Sequence, residues 1–189
     1  MSQEIWLIRH AETEWSRDKK HTGRTDVPLL DEGREHARSL RERLEAVAFE
    51  AVFTSPLSRA RETCELAGLG DRMELEDALM EWDYGDYEGQ TTEEVREERP
   101  DWYLWRDGCP GGESPADLER RADAVIERAL AVDGCVALFA HGHILRAVGA
   151  RWAELPVEAG GRLALVPAAV CILGFERKVR VIGRWNDAG

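Results

Sequence analysis

The chain alternates short, unbroken apolar runs with longer stretches in which apolar residues recur every three or four positions. Glu4 to Arg9 is the first run, and its consecutive apolar residues predict a strand buried on both faces. Ala51-Val52-Phe53 and Cys135-Val136-Ala137-Leu138-Phe139-Ala140 repeat the pattern. Between them, Ala37, Leu40, Leu44 and Val47 lie at helical spacing and predict a helix from Asp31 to about Ala46, with a second over Ser58 to Leu66. Leu118, Ala122, Val125, Ile126 and Leu130 mark a third. It opens on a Ser114 cap, with Pro115 at the first helical position and Asp117 three residues after the cap. Thr91 or Thr92 caps a shorter helix ending at Glu98, and another runs from about Ile144 to Ala153. Residues 72–80 are ambiguous and admit a short strand. At the tail, Ala168 to Phe175 and Val179 to Trp185 flank the link Glu176-Arg177-Lys178 and predict an antiparallel hairpin.

Strand alternating with helix defines an α/β class. The expected architecture is a three-layer sandwich, a mostly parallel central sheet with helices on both faces and a C-terminal antiparallel hairpin, in a single domain over 1–189. Three connections stand out. Residues 11–28 read as a polar loop in which His21 to Pro28 has turn punctuation, so its backbone amides are available to an anion. Glu81 to Gly89 is aromatic and acidic and suits the rim of a cleft. Trp102 to Gly112 reads as a long functional loop or lid, with Trp102, Tyr103 and Trp105 packing beneath it. His21 and His36 are expected to face solvent.

Charge narrows the partners. With 25 Lys and Arg against 37 Asp and Glu in 189 residues, the formal charge of −12 argues against nucleic acid and anionic membranes. A small phosphate ligand remains allowed if arginines cluster locally. Cys64, Cys109, Cys135 and Cys171 are scattered without a Cys-x-x-Cys pair and read as reduced thiols. The apolar start, Ile5 to Ile8, is too short for a signal peptide core and no stretch approaches a membrane span, so a cytoplasmic protein is expected.

Chemistry enters where the strands stop. The first run ends in Arg9-His10, the second leads to Ser55 and then Arg59, and the third runs into His141-Gly142-His143. Ligands of open α/β sheets sit outside the carboxyl ends of the strands, which brings Arg9, His10, Ser55, Arg59 and His141 to one crevice. Guanidinium groups meet phosphate oxygens through paired hydrogen bonds, so this set points to a phosphoryl group.

The same residues carry a resemblance to the histidine phosphatase superfamily, which also contains the cofactor-dependent phosphoglycerate mutases. Leu7-Ile8-Arg9-His10-Ala11-Glu12-Thr13 is similar to its Arg-His-Gly signature, Thr22-Gly23-Arg24-Thr25-Asp26 to its Thr-Gly loop, and Ser55-Pro56-Leu57-Ser58-Arg59-Ala60 to its Ser-Pro-x-x-Arg-Ala segment. Glu81 with Glu88-Gly89, then His141-Gly142, complete the pattern over most of the chain. The chain departs from it at Ala11, Ser16 and His143, where glycine, asparagine and glycine are the usual residues.

The resemblance implies that His10 is the nucleophile, forming a phosphohistidine that water hydrolyses, with Arg9, Arg59 and His141 holding the phosphoryl oxygens. Glu81 would be the proton donor and later the base, a role that asks for a raised carboxyl pKa, to which Trp82 and Tyr84 would contribute. Ser16, Thr22, Gly23 and Gly142 would complete the substrate contacts, with no metal and no cofactor. Trp105 to Ser114 and His141 to Arg146 look like a sugar-bisphosphatase branch typified by sedoheptulose-1,7-bisphosphatase, in which Arg146 and Tyr84 would meet a distal phosphate. A small phosphorylated metabolite is therefore the expected partner, and the hairpin edge offers a surface for a homodimer. A mutase is disfavoured because 189 residues barely accommodate its additional insertion over the site. Two rivals stay open: a metal-dependent hydrolase using His10, His141, His143 and Glu81, and a non-catalytic phosphate-binding regulatory module.

Overall fold

The computed structural model describes residues 3–189; Met1 and Ser2, the first two residues of the expected 1–189 domain, lie outside it. The elements run β1 (Glu4–Arg9), α1 (Glu14–Arg17), α2 (Asp31–Leu44), β2 (Phe49–Thr54), α3 (Ser58–Leu66), β3 (Met73–Leu75), α4 (Thr92–Glu98), α5 (Leu104–Asp107), α6 (Pro115–Leu130), β4 (Cys135–Ala140), α7 (Gly142–Trp152), β5 (Val170–Glu176) and β6 (Val179–Asp187). They form one six-stranded sheet in the order β3-β2-β4-β1-β5-β6. β1 to β4 are parallel, while β5 runs antiparallel to β1 and pairs with β6 as the terminal hairpin. The expected mostly parallel α/β sheet is the observed one.

The consecutive apolar residues of the central strands divide between the two faces by the pleat. Ile5, Leu7, Phe53, Leu138 and Leu173 join a core completed by Leu118, Val125, Ile144 and Val148 of α6 and α7. Ile8, Val52, Ala137, Phe139 and Val170 join a second core completed by Leu40 and Leu44 of α2 and Cys64 of α3. Both faces are covered. The four cysteines are free.

Several boundaries differ from the pattern in the sequence. The polar loop after β1 contains the single helical turn α1, closed by a capping box in which Thr13 and Ser16 serve each other's backbone. β3 has only three residues, flanked by 3-10 turns at Gly70–Arg72 and Asp77–Leu79. The capping of α6 by Ser114 and Asp117 is as expected.

The segment expected to be a loop or lid packs Trp102, Leu104 and Trp105 into the core. Cys109 is buried with them, α5 lies within the segment, and Tyr103, Arg106, Asp107, Pro110 and Gly111 are exposed. Two backbone hydrogen bonds tie it to the loop that carries Glu81: Asp86 N–H to the Pro110 carbonyl (2.9 Å) and Glu113 N–H to the Asp83 carbonyl (2.9 Å). Gly85 permits this contact, because its φ is +50° and a Cβ there would lie 2.2 Å from the Pro110 oxygen. Arg121 of α6 clamps the same junction, donating to both Glu113 carboxylate oxygens (2.7 and 2.6 Å) and to the Ala78 and Met80 carbonyls.

Candidate active site

Three strand ends converge because β4 lies between β1 and β2. Arg9 pairs with Ala140 across the sheet, the His10 N–H donates to the Ala140 carbonyl (2.8 Å), and the Ser55 N–H donates to the Phe139 carbonyl (2.9 Å). His10, Ser55 and His141 are thereby set side by side, with the His10 and His141 ring centroids 5.1 Å apart. Arg59 enters from the first turn of α3, where Ser58 donates its N–H and hydroxyl to Asp26 (2.9 and 2.8 Å).

Hydrogen bonds assign opposite tautomers to the two histidines. His10 Nδ1 lies 2.7 Å from the Ala11 carbonyl, which can only accept, so Nδ1 carries the proton and Nε2 the lone pair. His141 Nδ1 accepts from Arg59 Nε (3.1 Å), so its proton sits on Nε2, 2.8 Å from Ser55 Oγ. One ring offers a nucleophile and the other a donor. Burial, reinforced by the Arg59 and Arg9 charges, holds His10 well below the usual histidine range, so its lone pair is free at neutral pH. His141 is held down in the same way by burial, Arg59 and His10.

Arg9 donates to the Leu165 carbonyl, while its buried Nε has no partner. Glu81 sits beside it. A Cβ on Gly142 would lie 3.4 Å from the Arg9 guanidinium and 3.6 Å from Glu81 Oε2, so all three crowd one corner. The Glu81 carboxylate receives the backbone N–H groups of Trp82 (2.9 Å), His143 (3.0 Å) and Ile144 (3.0 Å) at the positive N-terminal end of α7. Burial pushes this carboxyl up, as its aromatic neighbours led one to expect. The close approach of His143 and His141 and the backbone donors outweigh burial, and Glu81 is held well below the carboxylate range. The expected raised pKa is therefore corrected: before phosphate binds, Glu81 is ionised.

A cavity of about 390 Å³ opens over these groups, a volume suited to a small metabolite. Of the residues singled out in the sequence, Arg9, His10, Ser16, Thr22, Glu81, Tyr84, Gly142 and Arg146 line it. Arg59, His141 and Gly23 stand behind that wall. Arg59 is fully buried and spends its fork on the carbonyls of Thr25 (2.9 Å), Thr22 (3.0 Å) and Gly23 (2.9 Å). The amides expected to face an anion are also committed, since Gly23 and Thr25 both donate to Glu88 Oε1 (2.9 and 3.0 Å). Gly23 has no room for a side chain; a Cβ would lie 2.6 Å from the Trp82 carbonyl oxygen. The Ser16 and Thr22 hydroxyls are bonded to the Thr13 and Lys20 carbonyls.

His21, expected to face solvent, is buried and lines the cavity. It stacks on Tyr84 (centroids 4.8 Å, interplanar 18°) and meets Trp102 edge-on, contacts made by residues remote in sequence. His36 is exposed as expected. Burial lowers the His21 pKa to about 4. The unfolded chain then binds a proton between about pH 6.5 and 4 that the folded chain refuses, so stability falls as pH drops through that window. Denaturant unfolding should show about 2 kcal/mol of His21-dependent loss between pH 7.5 and 5. His21→Phe should narrow the difference between the two pH values by that amount, and an unchanged difference would refute the assignment.

Lys19, Lys20 and Arg96 also line the cavity, and sequence reasoning missed them. The adjacent Lys19-Lys20 pair in so acidic a chain was the available signal. The Leu165 carbonyl under Arg9 left none, being backbone. Among the described residues no group of three or more His, Cys, Asp or Glu converges as metal ligands, and no helix is long and apolar enough to cross a membrane.

Paired histidines and arginines at the strand ends of a parallel-centred α/β sheet make a site suited to a phosphoryl group. The Histidine phosphatase superfamily (branch 1) profile matches residues 5–188, and the chain belongs to that superfamily. It is 43% identical over 180 residues to an acid phosphatase of Mycobacterium tuberculosis, covering 93% of this chain and 88% of that protein. It is 35% identical over 185 residues to sedoheptulose 1,7-bisphosphatase of Saccharomyces cerevisiae, covering 80% and 68%. The solved structure of an M. tuberculosis open reading frame product superposes with a TM-score of 0.94 at 40% identity, covering 99% of this chain and 98% of that one.

Proposed function

We propose that the protein is a metal-independent phosphomonoesterase that transfers a phosphoryl group from a small sugar phosphate or bisphosphate to His10 Nε2 and then to water. The observation that carries this is the His10 Nδ1 bond to the Ala11 carbonyl, which leaves Nε2 unprotonated beside Arg9. In the first step the Nε2 lone pair forms the N–P bond, the ester P–O bond breaks, and Glu81 gives a proton to the departing oxygen. Because Glu81 is ionised beforehand, that proton arrives with the phosphate as its monoanion or from water. In the second step Glu81 takes a proton from water, whose oxygen attacks phosphorus as the N–P bond breaks.

The Arg9 guanidinium, which lines the cavity, supplies donors to the phosphoryl oxygens, and the His141 Nε2–H joins them by leaving Ser55 Oγ. Arg59 supports them by fixing the His141 tautomer and by adding charge. Four cations of the cavity wall, Lys19, Lys20, Arg96 and Arg146, form no salt bridge within 4.0 Å among the described residues, while Arg146 lies over the Trp105 ring (5.0 Å). Unpaired cations in a chain of charge −12 fit a second anionic group on the substrate. A panel of sugar monophosphates and bisphosphates assayed in excess chelator is the test. Turnover should persist, with kcat/KM on the order of 10-fold higher for bisphosphates, about one charge-assisted contact. Loss of activity on chelation, or no preference, would reject the corresponding part.

A further inference from the structure

His143 lies beside the acid. It is the second residue of α7, so its backbone N–H serves the Glu81 carboxylate while its ring turns to the cavity. Nδ1 is 2.7 Å from Tyr84 Oη and 3.6 Å from Glu81 Oε2; the first is a hydrogen bond and the second an electrostatic contact. A tyrosine hydroxyl can donate to a bare Nδ1 or accept from a protonated one, so this partner suits both states of the ring. Nε2 has no protein partner and is not sealed off, since the buried side-chain polar atoms without a partner among the described residues are Arg9 Nε and His21 Nδ1. Trp82, Tyr84 and Trp105 enclose the ring with centroids 6.1, 5.8 and 5.5 Å away.

We infer that His143 is a positioning residue for the acid's proton, passing it between the cavity at Nε2 and the Glu81 carboxyl at Nδ1. This rests on Glu81 being the leaving-group acid. Nε2 takes a proton from cavity water or the monoanionic phosphate, giving the imidazolium. The ring then turns its Nδ1–H from Tyr84 Oη to Glu81 Oε2, closing the 3.6 Å gap; the Nδ1–H bond breaks as the Oε2–H bond forms, its electron pair stays on Nδ1, and the Tyr84 hydroxyl donates to that lone pair. After Glu81 has taken a proton from water in the second step, the same moves run in reverse and return the proton to the cavity.

The charges around the ring fit a carrier that does not keep its proton. Burial lowers the His143 pKa, and Arg146 on its own helix and Arg9 on β1 lower it further, while Glu81 raises it. His21, from the loop after β1, faces it as a buried neutral ring, and Tyr84 is held protonated by burial. A bound phosphate adds negative charge to this corner and favours uptake.

The test uses leaving groups. Hydrolysis of an alkyl ester such as glycerol phosphate requires protonation of the departing oxygen, whereas p-nitrophenyl phosphate scarcely does. His143→Gln keeps the backbone donors to Glu81 and removes the titrating ring. It should lose on the order of 10-fold more kcat/KM on the alkyl than on the aryl ester, less than the 10²- to 10⁴-fold of full general acid catalysis because Glu81 itself remains. Glu81→Gln should show the same selectivity, larger. If Glu81→Gln is selective and His143→Gln slows both esters alike or neither, only the relay fails. If Glu81→Gln is not selective either, the acid assignment fails with it. Should His143→Gln not fold, Tyr84→Phe decides: without the hydroxyl donor the bare Nδ1 loses support, and the descending limb of the alkyl-ester pH profile should move up by about half a unit. A limb that stays in place overturns the relay.

Discussion

His10→Ala is expected to lower kcat on the order of 10⁴-fold or more, the largest loss available from any substitution at this site. His10 is 4% exposed, so the change also leaves a void; His10→Gln controls for packing and should be as inactive, because no amide nitrogen replaces the Nε2 lone pair. The measurement is single turnover with labelled substrate followed by alkaline quench, in which phosphohistidine survives. The unaltered enzyme should carry acid-labile, alkali-stable label and neither variant should. A His10→Ala enzyme with turnover within tenfold of the parent would remove the covalent step from the mechanism.

Arg59→Ala should be nearly as damaging, for a different reason. Its guanidinium joins three carbonyls of the 22–25 loop to the His141 ring, all in a fully buried position. Removing it strands those acceptors and frees His141 to take either tautomer. The expected cost is about 3 kcal/mol of unfolding free energy and on the order of 10³-fold in kcat. Arg59→Lys should recover little, since one ammonium cannot span the four acceptors that a planar fork reaches. Urea unfolding and kcat measured on the same preparations check both parts; an alanine variant with unchanged midpoint and only a few-fold loss would show that the fork is dispensable.

Arg59 also marks where the sequence stops being informative. Its partners are backbone carbonyls, which have no residue signature, so an arginine at the head of a helix could be read as a phosphate ligand but not as the keystone of a loop. His21 is buried against expectation for a related reason. Its neighbours in sequence are polar, and the rings that bury it, Tyr84 and Trp102, come from more than sixty residues away. Glu88 gave no sign that it would occupy the amides of Gly23 and Thr25, because a carboxylate in so acidic a chain means little by itself. What could be read was whatever depends on short-range pattern. The apolar runs ending in Arg9-His10, Ser55 and His141-Gly142 define parallel strands whose ends must meet, and Ser114-Pro115-x-Asp117 opens a helix by local hydrogen bonds alone. α7 begins two residues before the Ile144 that the apolar pattern indicates, because Gly142 is a poor helix former, so the backbone donors that keep Glu81 ionised carry no signal in the sequence.

The bonds between residues 83–86 and 110–113 bear on how such an enzyme changes its diet. The segment over the cavity and the loop carrying the acid are one mechanical piece, riveted through Gly85, Glu113 and Arg121. A mutation that reshapes the cover for a new substrate will therefore shift the proton donor as well. Specificity and catalytic power here do not drift independently: a lineage acquiring a new substrate must retune its acid in the same step, and activity on the old substrate should fall in kcat before it falls in affinity.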